Sequence, residues 1–358
     1  MRSASFVRPR LLAALAALAC LGIVAAACGD SSSASTSTTA TSATPVTVRL
    51  GYFPNLTHAP ALVGVEKGYF TKELGRNKLE TKTFNAGTDA VTALFSDALD
   101  ISYIGPNPAI NAYAKSKGEA IRIISGAASG GAALVVKPNI TSPEQLKGTT
   151  LATPQLGNTQ DVALRSWLKS NGLKTDTNGG GDVSIKPQDN GDTLTAFKQG
   201  QIAGAWVPEP WATRLIQEGG GKVLVNEASL WPEGQFVTTH IIVRTEFLNQ
   251  HPDVVKEVLQ GNLDALDEIA KDPTGSQQAV NDGIKAITQK PLAEGVITAA
   301  WKNLQFTADP IASSLETSAK HAEEVGLLQP VDLKGIYDLT LLNELLKADG
   351  KSTVKGLT

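Results

Sequence analysis

The chain has 358 residues, 42% of them hydrophobic and 19% charged, with 32 basic against 35 acidic side chains. That length suits two domains of ordinary size, and the balance is globular rather than disordered. Neither sign of charge dominates, which removes the electrostatic footprint of a nucleic-acid partner.

At the N-terminus, Arg2, Arg8 and Arg10 precede an apolar run from Leu11 to Cys28, "LLAALAALACLGIVAAAC". A positive segment followed by a short apolar one is the layout of a secretory signal, too short for a stable membrane span. Ala25, Ala26 and Ala27 before Cys28 resemble a bacterial lipobox, with Ala25 where Leu is usual. Cys28 is the expected lipid anchor; Cys20 is the rival acceptor, and a plain cleaved signal with an incidental cysteine is the alternative. "GDSSSASTSTTATSATP" then reads as a tether that buries no core. We expect a signal peptide over 1–27, a tether over 28–45, and a product held at the outer face of the cell membrane. Cleavage before Cys28 removes three arginines and no acid, so the formal net charge of −3 becomes −6. It also leaves one cysteine, hence no disulfide, thiol nucleophile or cysteine metal site in the mature domain. Neither a metal nor a cofactor is expected.

Beyond the tether, strands and helices alternate. "VTVRLGYF" predicts a strand and "APALVGVEKGYF" a helix; "KLETKTFN" and "GTDAVTALFSDAL" repeat the pair. "DISYIG", "NPAINAYAKSKG" and "IRIISGA" complete a βαβαβαβ series, the pattern of a mostly parallel sheet with helices on its faces. "GAALVVKP" and "TTLATP" open a second round. "NTQDVALRSWLKSNGL" is its first helix, with Asn158 or Thr159 as N-cap. "VSIKPQ", "DTLTAFKQGQI", "AGAWVP", "EPWATRLIQEGG", "GKVLVNE" and "FVTTHIIVR" continue the alternation, and "NGGGD" reads as a flexible surface loop. From Thr245 the chain reads as almost entirely helical, most clearly around Val254, Val255, Val258 and Leu259. Two such rounds predict an α/β fold of two doubly wound lobes. Ligands of these sheets collect at the carboxyl ends of the strands and between domains.

Five turns at strand ends share a composition: "NLTHAP", "NAGTDA", "GPNPA", "ASGGA" and "LGNTQD". Four lead into helices, whose N-termini present free N–H groups and partial positive charge. Several such ends in one cleft form an anion site without Lys or Arg. Singly, each turn is equally an ordinary cap or loop. "AWVPEPWATR" ends a strand and starts a helix, because neither Pro208 nor Pro210 can donate within a ladder. Glu209 there is a candidate acceptor for a ligand amine, and Trp206 or Trp211 a candidate pocket wall. The competing reading has Glu209 favouring the helix dipole and the tryptophans packing between lobes. His58 and His240 fall in candidate turns, His251 and His321 read as structural or exposed, and no pair has metal-ligand spacing. No nucleophile elbow, phosphate loop or dinucleotide fingerprint occurs in its required context.

"VRLGYFPNLTHAPALVGVEKGYF", "FNAGTDAVTALFSDALDISYIG", "GNTQDVALRSWLKSNGL" and "AFKQGQIAGAWVPEPWATRL" resemble the substrate-binding proteins of ABC importers for aliphatic sulfonates, nitrate and taurine. The resemblance runs from about Val46 to about Leu259. It implies the type II periplasmic-binding architecture: two lobes, two crossing hinge segments near "GGAALVV" and "VTTHIIV", and a helical C-terminal part. One lobe would comprise 46–130 plus 240–358, the other 131–239. The family's ligand-facing turns fall on Asn55, Thr57 and His58, on Gly105 to Asn107, on Ser129 and Gly130, and on Gly157, Asn158 and Thr159. Glu209, Thr239 and His240 complete the set, with Trp211 at the wall. The implied partners are a small anionic solute, such as an alkanesulfonate or taurine, and a membrane permease; a monomer is expected. Nitrate, bicarbonate or a thiamin-pyrimidine-type solute are alternative ligands. A related enzyme family, the thiamin-pyrimidine synthases, carries a cysteine-rich motif that this chain lacks.

Overall fold

A computed structural model describes residues 44–357. The expected signal peptide, the Cys28 anchor and nearly all of the tether lie outside the described residues.

The first half of the fold begins with β1 (Thr47–Tyr52), a short 3-10 turn at Leu56–His58, α1 (Ala59–Glu66) and α2 (Tyr69–Leu74). β2 (Lys78–Thr83), α3 (Gly87–Phe95), β3 (Ile101–Ile104), α4 (Pro106–Lys115) and β4 (Ile121–Gly130) follow. The single helix expected over 59–70 is broken at Gly68, whose φ of 75° is left-handed and open to glycine at little cost. The chain then crosses to β5 (Ala132–Val136), β6 (Thr150–Thr153), α5 (Thr159–Ser170), β7 (Ser184–Pro187) and α6 (Asn190–Lys198). β8 (Gly204–Pro208), α7 (Trp211–Gln217) and β9 (Lys222–Asn226) complete this second half. The chain returns through β10 (Val237–Arg244), α8 (Thr245–Gln250), α9 (Pro252–Lys271), α10 (Pro273–Thr288) and α11 (Glu294–Trp301). β11 (Leu304–Phe306), α12 (Ala312–Glu324) and α13 (Thr340–Ala348) end it.

Two sheets result, ordered β11-β4-β10-β3-β1-β2 and β7-β6-β8-β5-β9. Both are mixed rather than mostly parallel. β1 pairs in parallel with β2 and β3, but β10 inserts antiparallel between β3 and β4. In the second sheet β6 is parallel to β7 and β8, while β5 runs antiparallel to β8 and β9. The strand run as such was readable; the partner of β4 was not, because it lies more than a hundred residues away. The tail is almost entirely helical, as expected; its exception is β11, three residues that add an edge strand to β4. The "NGGGD" loop is exposed but pinned, since Asp176 Oδ1 accepts from the N–H groups of Asn178 and Gly180 at 2.8 and 2.9 Å.

Both faces of each sheet are covered, as buried strands without an exposed side require. Along β10, Ile241 and Val243 join the core under α1, α2 and α9, while Ile242 joins the core under α3, α4 and α12. In the second half, Leu134 and Val136 pack toward α5, and Ala133 and Val135 toward α6 and α7. The chain passes between the sheets at Gly130–Gly131, with φ of 77° and 71°. The return crossing lies at 227–236, between β9 and β10, and not within "VTTHIIV", which is wholly a strand of the first sheet.

Candidate functional site

The carboxyl ends of β1, β2, β3, β6 and β7 point their following turns toward one cleft between the two sheets. Four helices start there: α3 after Ala86, α4 after Gly105, α5 after Asn158 and α6 after Asp189. In none of the four does the N-cap side chain accept from the helix. Their N-cap side chains leave the first N–H groups open, while Asp89, Asp161 and Asp192 sit in the first turns of α3, α5 and α6. A cavity of about 40 Å³ sits at the meeting point, lined by Asn55, Thr57, His58, Gly87, Gly105, Asn158, Thr159, Gln160, Asn190 and Thr238, among others. No Asp, Glu, Lys or Arg lines it.

His58 is 3% exposed and stacks on Phe53, with ring centroids 4.4 Å apart. Its Nδ1 accepts the Phe53 N–H at 3.3 Å, which leaves the proton on Nε2. Burial lowers its pKa to about 3, so the ring is a neutral donor at physiological pH. Asn55 accepts Trp211 Nε1–H at 2.9 Å, and the Leu56 N–H donates to Glu209 O at 3.2 Å. These bonds tie the first turn to the β8–α7 turn of the other half. Asn158 is the N-cap of α5, and its Nδ2 donates to Gln155 Oε1 at 3.0 Å. Gly105 lies so close to Thr159 that an added Cβ would meet Thr159 Oγ1 at 2.5 Å.

Behind this surface, Asp161 holds the α5 turn in shape. It is fully buried and accepts from Thr153 Oγ1 at 2.8 Å, the Gly157 N–H at 2.9 Å and Arg165 Nε at 3.0 Å. Gly157 is thus beside the cavity but committed to backbone support, with its carbonyl accepting from Asn111 Nδ2 at 3.3 Å.

The structure thus gathers Asn55, Thr57, His58, Gly105, Asn158 and Thr159 and leaves the other expected residues elsewhere. Asn107 donates to Ser318 O in α12 at 3.2 Å, and Ser129 accepts from the Phe236 N–H at 3.4 Å. Gly130 forms the crossing. Thr239 and His240 are interior to β10 and fully buried. His240 meets Pro310 O at 3.0 Å, and burial lowers its pKa to about 4. Thr238, one residue earlier, lines the cavity, and the pairing of β10 with β4 shifts register across Val237 to His240. Glu209 is not free for a ligand amine. Its oxygens accept from Thr213 N and Oγ1, both at 3.0 Å, and from Asn303 Nδ2 at 2.7 Å. Burial raises its pKa. Trp206 is fully buried in the second half's core, and Trp211 lines a neighbouring cavity instead.

Sequence reasoning did not name Phe53, Asn85, Gly87, Gln160, Asn190 or Thr238. Asn85 and Gly87 lie in "NAGTDA", whose place after a strand was the available signal. Asn190 follows β7 in the same topological position. Among the described residues, no group of three or more His, Cys, Asp or Glu side chains is gathered as metal ligands.

Comparison with known proteins extends this picture. The model of the NMT1-like family matches residues 41–281. The taurine-binding periplasmic protein of Escherichia coli (strain K12) is 29% identical over 214 residues, 60% of this chain and 64% of that protein. The chain therefore spans less than two thirds of the length of this curated relative. Among solved structures, the alkanesulfonate-binding protein SsuA of Xanthomonas axonopodis pv. citri, bound to MOPS, superposes with a TM-score of 0.67 at 17% identity. That likeness covers 80% of this chain and 95% of SsuA. The periplasmic nitrate-binding protein NrtA of Synechocystis PCC 6803 gives 0.69 at 16% identity, covering 85% and 89%. At such identities these likenesses establish the fold, that of the periplasmic binding proteins.

Proposed function

The chain belongs to the NMT1-like family, and on that premise we propose that it is the extracytoplasmic solute-binding component of an ABC importer. It binds a small sulfonate-like anion, an alkanesulfonate or taurine, between two lobes and delivers it to a membrane permease. One lobe comprises 46–130 with 237–358, the other 131–226, joined at Gly130–Gly131 and through 227–236. The signal over 1–27 directs export, and lipidated Cys28 with its tether holds a monomer at the outer face of the membrane. The observation that carries the reading is the charge-free cavity ringed by four helix N-termini and by hydroxyl, carboxamide and neutral imidazole donors. Such a site favours a permanently ionised oxyanion without a counter-charge of its own. Its polar groups are suited to holding a solute, and we read the protein as a receptor rather than an enzyme.

Titration calorimetry of the mature chain against methanesulfonate, ethanesulfonate and taurine tests this. Binding is expected, with an affinity constant between pH 5.5 and 8 because His58 stays neutral there, its pKa lying at about 3. No heat and no thermal shift with any of them would remove the ligand class. An affinity that decays as pH rises through the ordinary imidazole range would assign positive charge to His58.

A second reading, nitrate or bicarbonate, is favoured by the cavity's size: about 40 Å³ suits a bare planar oxyanion. Heats with those ions and none with sulfonates would decide for it. A thiamin-pyrimidine-type solute loses Trp206 as its stacking wall, since that ring is fully buried.

A further inference from the structure

The carboxyl of Glu209 is buried and met by three donors. Two belong to Thr213 of α7, in the same half of the fold, at 3.0 Å each. The third, Asn303 Nδ2 at 2.7 Å, reaches across from the other half, out of the turn between α11 and β11. The two ends of this bond differ. Glu209 is 2% exposed, whereas Asn303 lies at the surface. Neither residue lines the inner cavity or the cavity beside Trp211.

The bond also sits on a chain crossing. The Glu209 N–H donates to Gly131 O at 2.7 Å. An added Cβ at Gly131 would meet Leu304 Cδ2 at 2.3 Å, and one at Gly130 would meet Asn303 O at 2.8 Å. Residues 303 and 304 thus press on both glycines of the first crossing, while the Asn303 side chain grips the half beyond it. The same C-terminal part holds the return crossing. Ser314 Oγ accepts the Val237 N–H at 3.0 Å, and His321 lies against Trp231 with ring centroids 5.8 Å apart. Parting the halves takes a donor from a buried acceptor, which costs more than loosening a pair that water already reaches.

We propose that the Asn303–Glu209 bond is the catch of the closed form: it draws the halves together without touching ligand and so sets how much of the unliganded chain is closed. This catch presupposes the two-lobe receptor reading above and is independent of the ligand class. A residue that acts only on the balance of open and closed forms changes every ligand's affinity by one factor, the fraction of closed chain lost. A residue that touches ligand changes different ligands differently.

Two variants test it: Asn303→Leu, which keeps much of the volume and cannot donate, and Asn303→Ala, which removes the amide without adding bulk. Asn303 is exposed, so neither change takes packing from a core. Spin labels at Thr92→Cys and Lys186→Cys, one exposed position in each half, read the distance across the cleft in the unliganded mature chain carrying Cys28→Ser. Both variants are expected to lower the closed-to-open ratio about tenfold. Calorimetry with methanesulfonate and with taurine is expected to show affinity reduced by one common factor, with dissociation faster in stopped flow. An unchanged closed-to-open ratio overturns the proposal, whether or not either sulfonate binds. A shift in Asn303→Leu alone assigns the effect to bulk and overturns it too. So does an affinity loss that differs between the two ligands by more than about threefold, which would make Asn303 a ligand contact. Failure of both sulfonates to bind removes the ligand class, and the distance measurement then decides the catch by itself.

Discussion

Trp206 belongs to the core of the second half. Its indole is fully buried and donates to Glu227 Oε2 at 2.7 Å, at the point where the chain leaves β9 to return to the first sheet. Burial without a cationic partner raises the Glu227 pKa from 4.5 to about 7. The folded chain therefore holds this proton across an interval in which the unfolded chain has released it. Below about pH 4.5 both states are protonated; between 4.5 and 7 stability falls as pH rises; above 7 the loss is complete. His58 and His240 act in the opposite direction, since their lowered values make the unfolded chain the better proton acceptor below 6.5. Comparison with Glu227→Gln isolates the carboxyl, because glutamine keeps the acceptor for Trp206 and does not titrate. Urea midpoints are expected to shift in favour of the variant by about 1.4 kcal/mol for each pH unit between 5 and 7. A difference that stays flat over that interval would place the carboxyl's titration outside it.

At the scale of elements, the site is a set of helix starts brought together by strand ends, and this explains what could be read early. Asn55, Thr57, Asn158 and Thr159, which line the cavity, could be named because β1 and β6 each lead into a helix through a polar turn. Asn85 lies in "NAGTDA", one of the five turns, without having been named itself, and Asn190 occupies the same position after β7. Thr239 and His240 are buried within β10 while Thr238 lines the cavity, and register shifts against β4 at this point leave the facing of these residues unreadable from a period of two. The insertion of β10 between β3 and β4 left no local trace at all, since pairing between distant segments is decided by packing rather than by periodicity. Gly105, the N-cap of α4, was named for its turn, yet its role is spatial. It belongs to one half of the fold and Thr159 to the other, so the 2.5 Å approach of an added Cβ to Thr159 Oγ1 falls on the seam and not in either core. Gly105→Ala is expected to weaken ligand binding about tenfold, near 1.4 kcal/mol, with little change in the melting temperature of the unliganded chain. In a Thr159→Ala background, where the hydroxyl is gone, the same change should cost far less. A lowered melting temperature with intact affinity would instead assign Gly105 to the fold of α4.

For the whole molecule, the bonds that cross the cleft define which state the structure represents. Leu56 N–H to Glu209 O, Trp211 Nε1–H to Asn55, Asn303 Nδ2 to Glu209 and Asn111 Nδ2 to Gly157 O each join the two halves, at 2.7 to 3.3 Å. The Thr88 N–H adds a further bridge to Gln155 Oε1 at 3.1 Å. All require the halves to be closed, and only two chain crossings restrain them from parting. The cross-cleft bonds are individually modest, because water replaces them in an open form. A ligand that touches both halves adds an interaction that only the closed form makes, and shifts the population toward it. The radius of gyration from solution scattering is therefore expected to fall on saturation with a bound sulfonate. Trp211 emission should change with it, since opening exposes its indole and breaks its bond to Asn55. Asn55→Ala should bias the unliganded chain further toward the open form and lower the apparent affinity by the fraction of closed state lost. A radius of gyration that does not move when ligand is bound would mean that the cleft is rigid, and that affinity is set by the preformed cavity alone.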